Sequence, residues 1–451
     1  MTVVRRELPG VRDLLPLAAA LPQRYPCLLE SVARRGGRAR FDILFAFPIE
    51  TLTLHEDGRV RSADGRDRGD LFLAALDADW RAAKVAHEVD DELPFRGGWV
   101  VALAYELAHE IEPRLGPLPR SDGNPIALAL RCPLALIVDH ARACSWIVAE
   151  ADHAHCIDEI ERDICALRPL AGSLVAATRI IEDPAERFVA GVKRIHEYLR
   201  AGDAFQVNLS RGWRAEFPEP LPPAALYASL REANPAPFAG LLQWQEWTIA
   251  SSSPERLIEI RGANAQTRPI AGTRPRFAGD DDDARIRELV GHVKERAEHV
   301  MLIDLERNDL GRICVPGSVK VDELMAVESY AHVHHIVSNV RGRLRAGVTP
   351  AEAIRAVFPG GTITGAPKVR TMQIIAELEC GARGAYTGSL GYLNRDGDMD
   401  FNILIRTLEQ RGANVRFRAG AGIVADSIAE RELDETRAKA RGLLRALGSA
   451  A

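Results

Sequence analysis

No run of this chain approaches the ~18–20 apolar residues that cross a bilayer, so a membrane-spanning helix is not expected. The opening "MTVVRRELPGVRDLLPLAAALP" has only a short apolar patch, broken by Glu7, Asp13 and prolines, and does not read as a signal peptide. Cysteine is sparse: seven residues, odd in number, scattered, with no CxxC. That usage excludes a disulfide scaffold, suits reduced thiols in the cytoplasm, and leaves no GxCxG setting for a glutaminase nucleophile. A basic surplus is missing too. With 58 basic and 63 acidic residues the net charge is −5, which gives no electrostatic footprint for nucleic acid.

What is present is a full core. Hydrophobic residues make up 47% and charged ones 27% of 451 residues, enough for two domains or one large one. Residues 1–165 read as short strands and hairpins with a few helices. "ILFAFPIETLTLHEDGRVRS" carries an apolar run, then alternation, then an Asp57-Gly58 turn, and "GGWVVALAYELA" (97–108) reads as a buried strand. The "HAHC" tetrad at 153–156 has no second ligand group and reads as a solvated loop or helix edge. Residues 166–182 form a connector. Asp183-Pro184, with Glu186 completing a capping box, then opens a helix with a stripe of Phe188, Val192, Ile195 and Leu199 that stops at Gly202.

The stretch 386–425 reads as an antiparallel meander of "YTGSLGYL", "MDFNILIRTL" and "VRFRAGAGIVA". In its middle strand Met399, Phe401, Ile403 and Ile405 face one way, and Asp400, Asn402 and Arg406 the other. That second, polar face in a sheet centre points to a site.

Two glycine motifs imitate nucleotide loops. "GAGIVA" matches GxGxxA, but its glycines continue a strand, the next helix begins only after Asp426-Ser427, a capping pair, and no returning strand follows. "GGTITG" (360–365) has P-loop spacing, yet Ala366-Pro367 replace Lys-Ser/Thr. It remains a glycine-rich entry to a helix at Ala366, suited to a carboxylate. The acids are more informative. Glu432 and Glu435 lie three apart on a helix, as do Glu295 and Glu298 in "KERAEH". Two such pairs can hold a hard divalent cation, or can be solvated faces beside Lys294, Arg296, Arg431 and Arg437. "HVHHIVS" adds His332, His334 and His335 at the edge of an apolar run, of which one can serve as a general acid or base.

From residue 183 to 445 the chain resembles the chorismate-utilising enzymes, on "FQVNLS", "SSSPERL", "RPIAGTRPR", "KERAEHVMLIDLERNDLGR", "HHIVS", "FPGGTITGAPKVR", "GSLGYL", "IRTL" and "AGAGIVADS" in order. Residues 1–165, with "LLES" (28–31) and "VVALAYELA", resemble the N-terminal region of the amine-forming members; 183–446 is then the chorismate-binding catalytic region. The resemblance implies an α+β fold of two large antiparallel β-sheets packed as a sandwich, with helices outside and the site in a cleft.

It implies Mg²⁺ held by Glu298 and Glu435, with Glu295 and Glu432 as second carboxylates, and binding the ring carboxylate of chorismate. Gly420, Ala421 and Gly422 would lie against that substrate, and Gly272 and Thr273 would line its ring. Tyr386, Arg406 and Lys439 would hold carboxylate, Glu255 would protonate the departing C4 hydroxyl, and His335 would stand beside the ring. Water-adding relatives carry a lysine where this chain has Gln206, which is no base at neutral pH, so the implied nucleophile is ammonia from a separate glutaminase subunit.

"QVNLS", "NPAPF", "VHHIVS", "FPGGTITGAPK" and "MDFNILIRTL" resemble aminodeoxychorismate synthase component I; "PIAGTRPR" resembles anthranilate synthase component I. Ala271 stands where well-known aminodeoxychorismate synthases have a lysine nucleophile. The first assignment is expected on five motifs against one, with the second as alternative and a non-catalytic chorismate-binding scaffold as a third. "LLES" also matches part of the tryptophan-inhibition site of anthranilate synthase.

Overall fold

The computed structural model describes residues 3–32, 40–87, 92–116, 123–170, 176–275, 287, 293–329, 333–379 and 381–449. Among the described residues the strands make one twelve-stranded and one eleven-stranded sheet, and the strand pairs are antiparallel. The α+β sandwich is therefore observed as expected.

Each sheet is assembled from both ends of the chain. In the larger sheet Cys27–Glu30 pairs with Phe238–Trp244, joining the strands before residue 151 to those after 178. In the smaller sheet Gly98–Leu103 pairs with Ser389–Asn394 in the same way. Strands such as Ala127–Cys132 and Leu134–Asp139 are buried along their whole length, because alternate side chains enter different cores. Ile43, Phe45, Ile137 and Ile249 of one sheet meet Val100, Leu128, Leu390 and Tyr392 of the other in the middle of the sandwich. Leu44, Leu136 and Val138, one residue out of phase, pack outward with the helices Leu15–Ala20, Pro223–Ala233 and Ala429–Ala446. Burying each such Leu or Phe contributes about 1.5–3 kcal/mol, so the layered order follows from the period-two pattern of these strands.

Asp57-Gly58 turns the chain between Glu50–Leu54 and Val60–Ser62, with Gly58 at φ 72°. The 97–108 segment is strand only over Gly98–Leu103, and Tyr105–Leu107 is a 3-10 turn. "HAHC" lies within the 3-10 helix Ala151–Cys156. The helix Ala185–Ala201 buries Phe188, Val192 and Ile195 and ends at left-handed Gly202. Its capping box does not form: the Asp183 carboxylate accepts instead from the backbone amide of Gly212, across the sheet, at 2.7 Å. Asp426-Ser427 does not cap the last helix either; Ser427 Oγ accepts from Val424 N and the helix starts at Ala429. After "GGTITG" the helix begins at Lys368, because Gly365–Ala366 pair with Gln206 and Val207.

The largest difference is in the meander. "MDFNILIRTL" is not one strand. Met399–Asn402 belongs to the smaller sheet and Thr407–Arg411 to the larger, so the chain changes layers between them. Arg406 sits at that step with φ 52°, a backbone state uncommon for a side chain of its size. The alternation continues through the step without a glycine or proline to mark it, which is why the sequence reads as continuous. No helix among the described residues is long and apolar enough to cross a membrane.

Candidate functional site

The site is built around the strand Asn414–Ile423 where it pairs with Gln206–Glu216. Register sets Asn208 opposite Gly422 and Ser210 opposite Gly420. Ala421 points the other way, into a core with Leu433 and Ile375. A Cβ on Gly422 would lie 2.2 Å from Gln206 Nε2, and one on Gly420 would lie 2.7 Å from both Asn208 Oδ1 and the Tyr386 hydroxyl. The glycines thus make room for the protein's own polar side chains, which pave this floor.

Two carboxylates flank that floor. Gln206 Nε2 donates to Glu298 Oε1 at 2.8 Å, which ties the strand to the helix Val293–Gly311. On the other side Lys439 Nζ donates to Gly420 O at 3.0 Å and pairs with Glu435, one turn earlier on the helix Ala429–Ala446, at 2.8 Å. Glu432 is half-buried on the same helix. The side chains of Glu295, Ala271, Thr273 and His334, and all of His332, lie outside the described residues. Among the described residues the three-ligand cluster with metal-like spacing is a different one, His87, Asp396 and Asp398. Arg96 already fills it, reaching Asp396 at 2.6 Å and Asp398 at 2.7 Å. Glu298 and Glu435 nevertheless suit a cation that takes one or two carboxylates and completes its shell with substrate and water oxygens.

Glu255 is 4% exposed, and Ile270 N stands 3.5 Å from its Oε1. Burial pushes its carboxyl up to about 7; Glu306 adds to the shift, while the Ile270 amide and Arg406 oppose it. Arg406 is half-buried, and burial lowers its pKa with partial relief from Glu255. No described residue hydrogen-bonds or ion-pairs with its guanidinium. The layer step thus leaves a half-buried five-donor fork beside the Glu255 charge with no hydrogen-bond partner among the described residues. Burial also raises the Tyr386 pKa, keeping a protonated phenol as donor.

Gly272 has φ 67° at a bulge where the strand Ile270–Pro275 slips against Val333–Arg343, setting Thr273 in register with buried His335. Asp400 and Asn402, the other members of the polar face, pair with Arg256 and the Leu390 amide. They line a separate cavity of about 510 Å³ with Glu30 and Ser31 of "LLES", and none of the candidate catalytic residues borders it.

Two residues escaped the sequence reading. Glu306, inside the charged run "DLERNDLGR", is buried, accepts from Thr267 Oγ1 at 2.7 Å, and is itself pushed up to about 7 by burial and by Asp309. Asn208, in an ordinary strand, is 9% exposed on the site face. Neither carries a local signal.

A model of the chorismate binding enzyme family matches residues 33–445. Aminodeoxychorismate synthase component 1 of Bacillus subtilis is 39% identical over 446 residues, covering 95% of this chain and 93% of the relative. Anthranilate synthase component 1 of Thermus thermophilus is 40% identical over 449 residues, covering 97% and 95%. The crystal structure of anthranilate synthase component I from Streptococcus pneumoniae superposes with a TM-score of 0.81 at 31% identity, covering 90% of this chain and 92% of that one.

Proposed function

The chain belongs to the chorismate binding enzyme family, and within it we propose that this protein is an aminodeoxychorismate synthase component I. It is an enzyme acting on chorismate, of the aminodeoxychorismate and anthranilate synthase type. On this reading it joins chorismate and ammonia to form 4-amino-4-deoxychorismate for 4-aminobenzoate and folate synthesis. A glutaminase subunit supplies the ammonia, as the "component 1" of the relatives' names suggests. Cysteine usage fits a cytoplasmic setting.

The observation that carries an amine product is Gln206, an uncharged amide held by Glu298. It can orient a nucleophile and cannot deprotonate water. Arg406, Tyr386 and Lys439 supply donors for the carboxylates of the substrate. Glu255, half protonated near neutrality, gives its proton to the C4 hydroxyl as it leaves, and His335 stands by the ring. Glu298 and Glu435, with Glu295 and Glu432 near them in sequence, would hold Mg²⁺, whose charge offsets that of the ring carboxylate when bound. Gly272 and Thr273 would line the ring, and the opposite side would be the Gln206, Asn208 and Tyr386 side chains that lie over Gly420 and Gly422, with Ala421 contributing backbone only.

Anthranilate synthase remains the second reading because Ala271 offers no nucleophile at C2 and a relative of that kind is 40% identical. A lyase-coupled assay with chorismate, Mg²⁺ and ammonium separates them. Conversion to 4-aminobenzoate only after the lyase is added supports C4 amination; anthranilate fluorescence without it overturns that assignment. A non-catalytic scaffold would bind chorismate and release neither.

A further inference from the structure

Two buried carbonyl oxygens on the site face of the strand Gln206–Glu216 lack donors. Gln206 is 3% and Asn208 9% exposed, yet Gln206 Oε1 and Asn208 Oδ1 have no hydrogen-bond partner among the described residues. Buried acceptors left unpaired are rare and destabilising. Two of them, two residues apart on one strand face, mark a place kept for a ligand with N–H or O–H bonds. The Gln206 orientation is fixed chemically: Glu298 can only accept, so Nε2 must face it and Oε1 must turn away. The Asn208 oxygen stands over Gly420 beside the Tyr386 hydroxyl.

We propose that the side-chain carbonyls of Gln206 and Asn208 form the receiving site for ammonia, each accepting one of its N–H bonds. The inference rests on the amine-forming reading above and adds Asn208 as a residue that touches the nucleophile. Ammonia held this way keeps its lone pair free to attack the ring. The lone pair forms the C–N bond, the C–O bonding pair leaves with the C4 hydroxyl, and that oxygen takes the Glu255 proton and departs as water. The new C–NH₃⁺ then returns one proton to the Glu255 carboxylate, so charge and protons balance. Water in the same place would find two acceptors and no base, so it would be held and not activated.

The test is the dependence of amine formation on free ammonia, in the full chain with saturating chorismate and Mg²⁺. Asn208→Leu keeps the side-chain size and removes the acceptor. It should raise KM for ammonia about tenfold and leave KM for chorismate within twofold. Asn208→Asp keeps an oxygen in place and should hold the ammonia KM within threefold. If Asn208→Leu does not fold, Asn208→Val, which also removes the acceptor and leaves the Gln206–Glu298 bond intact, should give the same tenfold rise. An ammonia KM within twofold of the parent in a folded Asn208→Leu protein overturns the receiving site while the amine-forming reading stands. Equal rises in both KM values overturn it as well, because Asn208 would then serve the ring. A parent that makes no amine from any ammonium concentration overturns the functional reading itself.

Discussion

Replacing Glu255 by glutamine should make the protein less active, and more stable by an amount that grows with pH. In the folded state the Glu255 carboxyl sits at about 7, against an ordinary 4.5. Between those values the native state keeps a proton that the unfolded chain has released, so stability falls as pH rises through this window. Below about 4.5 the group costs nothing; above about 7 it costs roughly 3 kcal/mol. Glutamine fills the same volume without a charge to bury. Glu255→Gln should therefore be more stable than the parent by about 1 kcal/mol at pH 5 and about 3 kcal/mol at pH 8. Part of the gain arrives through Glu306, which is relieved of a like charge beside it. Denaturant unfolding followed by tryptophan fluorescence at the two pH values reads this difference directly. Turnover should drop about 10²–10⁴-fold, the range for losing a general acid. A stability difference that is the same at pH 5 and pH 8, or that shrinks with pH, would refute the buried-acid account of Glu255.

The glycine floor predicts an ordered pair. Gly420→Ala meets the Leu209 carbonyl at 2.8 Å as well as two side-chain tips, so backbone must move; a loss of about 1–3 kcal/mol is expected. Gly422→Ala meets mainly the Gln206 amide, which can swing, so melting temperature should change less while turnover collapses with the Gln206–Glu298 bond. Finding the reverse order of stability would contradict the geometry. Arg406→Met removes a half-buried cation that no described side chain pairs with, so stability should hold or rise while KM for chorismate increases about ten- to a hundredfold; an unchanged KM would remove Arg406 from substrate binding. Truncating either flanking carboxylate, Glu298→Ala or Glu435→Ala, should abolish Mg²⁺-dependent turnover, and unchanged activity would sink the metal assignment.

Single strands and hairpin turns such as Asp57-Gly58 leave local marks, but the packing of two large sheets as a sandwich was legible only through the motif resemblance. What the sequence concealed was non-local. Asp183 looks like a cap until the Gly212 amide, far along the chain, claims its carboxylate. "MDFNILIRTL" keeps its alternation while the chain leaves one sheet for the other, so Arg406 could be picked out as polar but not as the residue at the layer step. The proposed site draws on Gln206, Glu255, Glu298, His335, Tyr386, Arg406 and the 420–439 segment, which no window of sequence brings together; motif resemblance named them, and periodicity alone did not. Asn208 and Glu306 lie inside the quoted motifs "FQVNLS" and "KERAEHVMLIDLERNDLGR" but were not singled out there, since a strand asparagine and a glutamate in a charged helical run are ordinary until burial and missing or like-charged neighbours are seen.

The most direct measurement is to supply ¹⁵N-ammonium with chorismate and Mg²⁺ to the purified chain and locate the label in the product by nuclear magnetic resonance. The account predicts ¹⁵N bonded to C4 of a non-aromatic ring that still carries its enolpyruvyl group. Label at C2 of an aromatic product would make this an anthranilate synthase despite the other motifs, and a product without label would contradict the amine-forming site altogether.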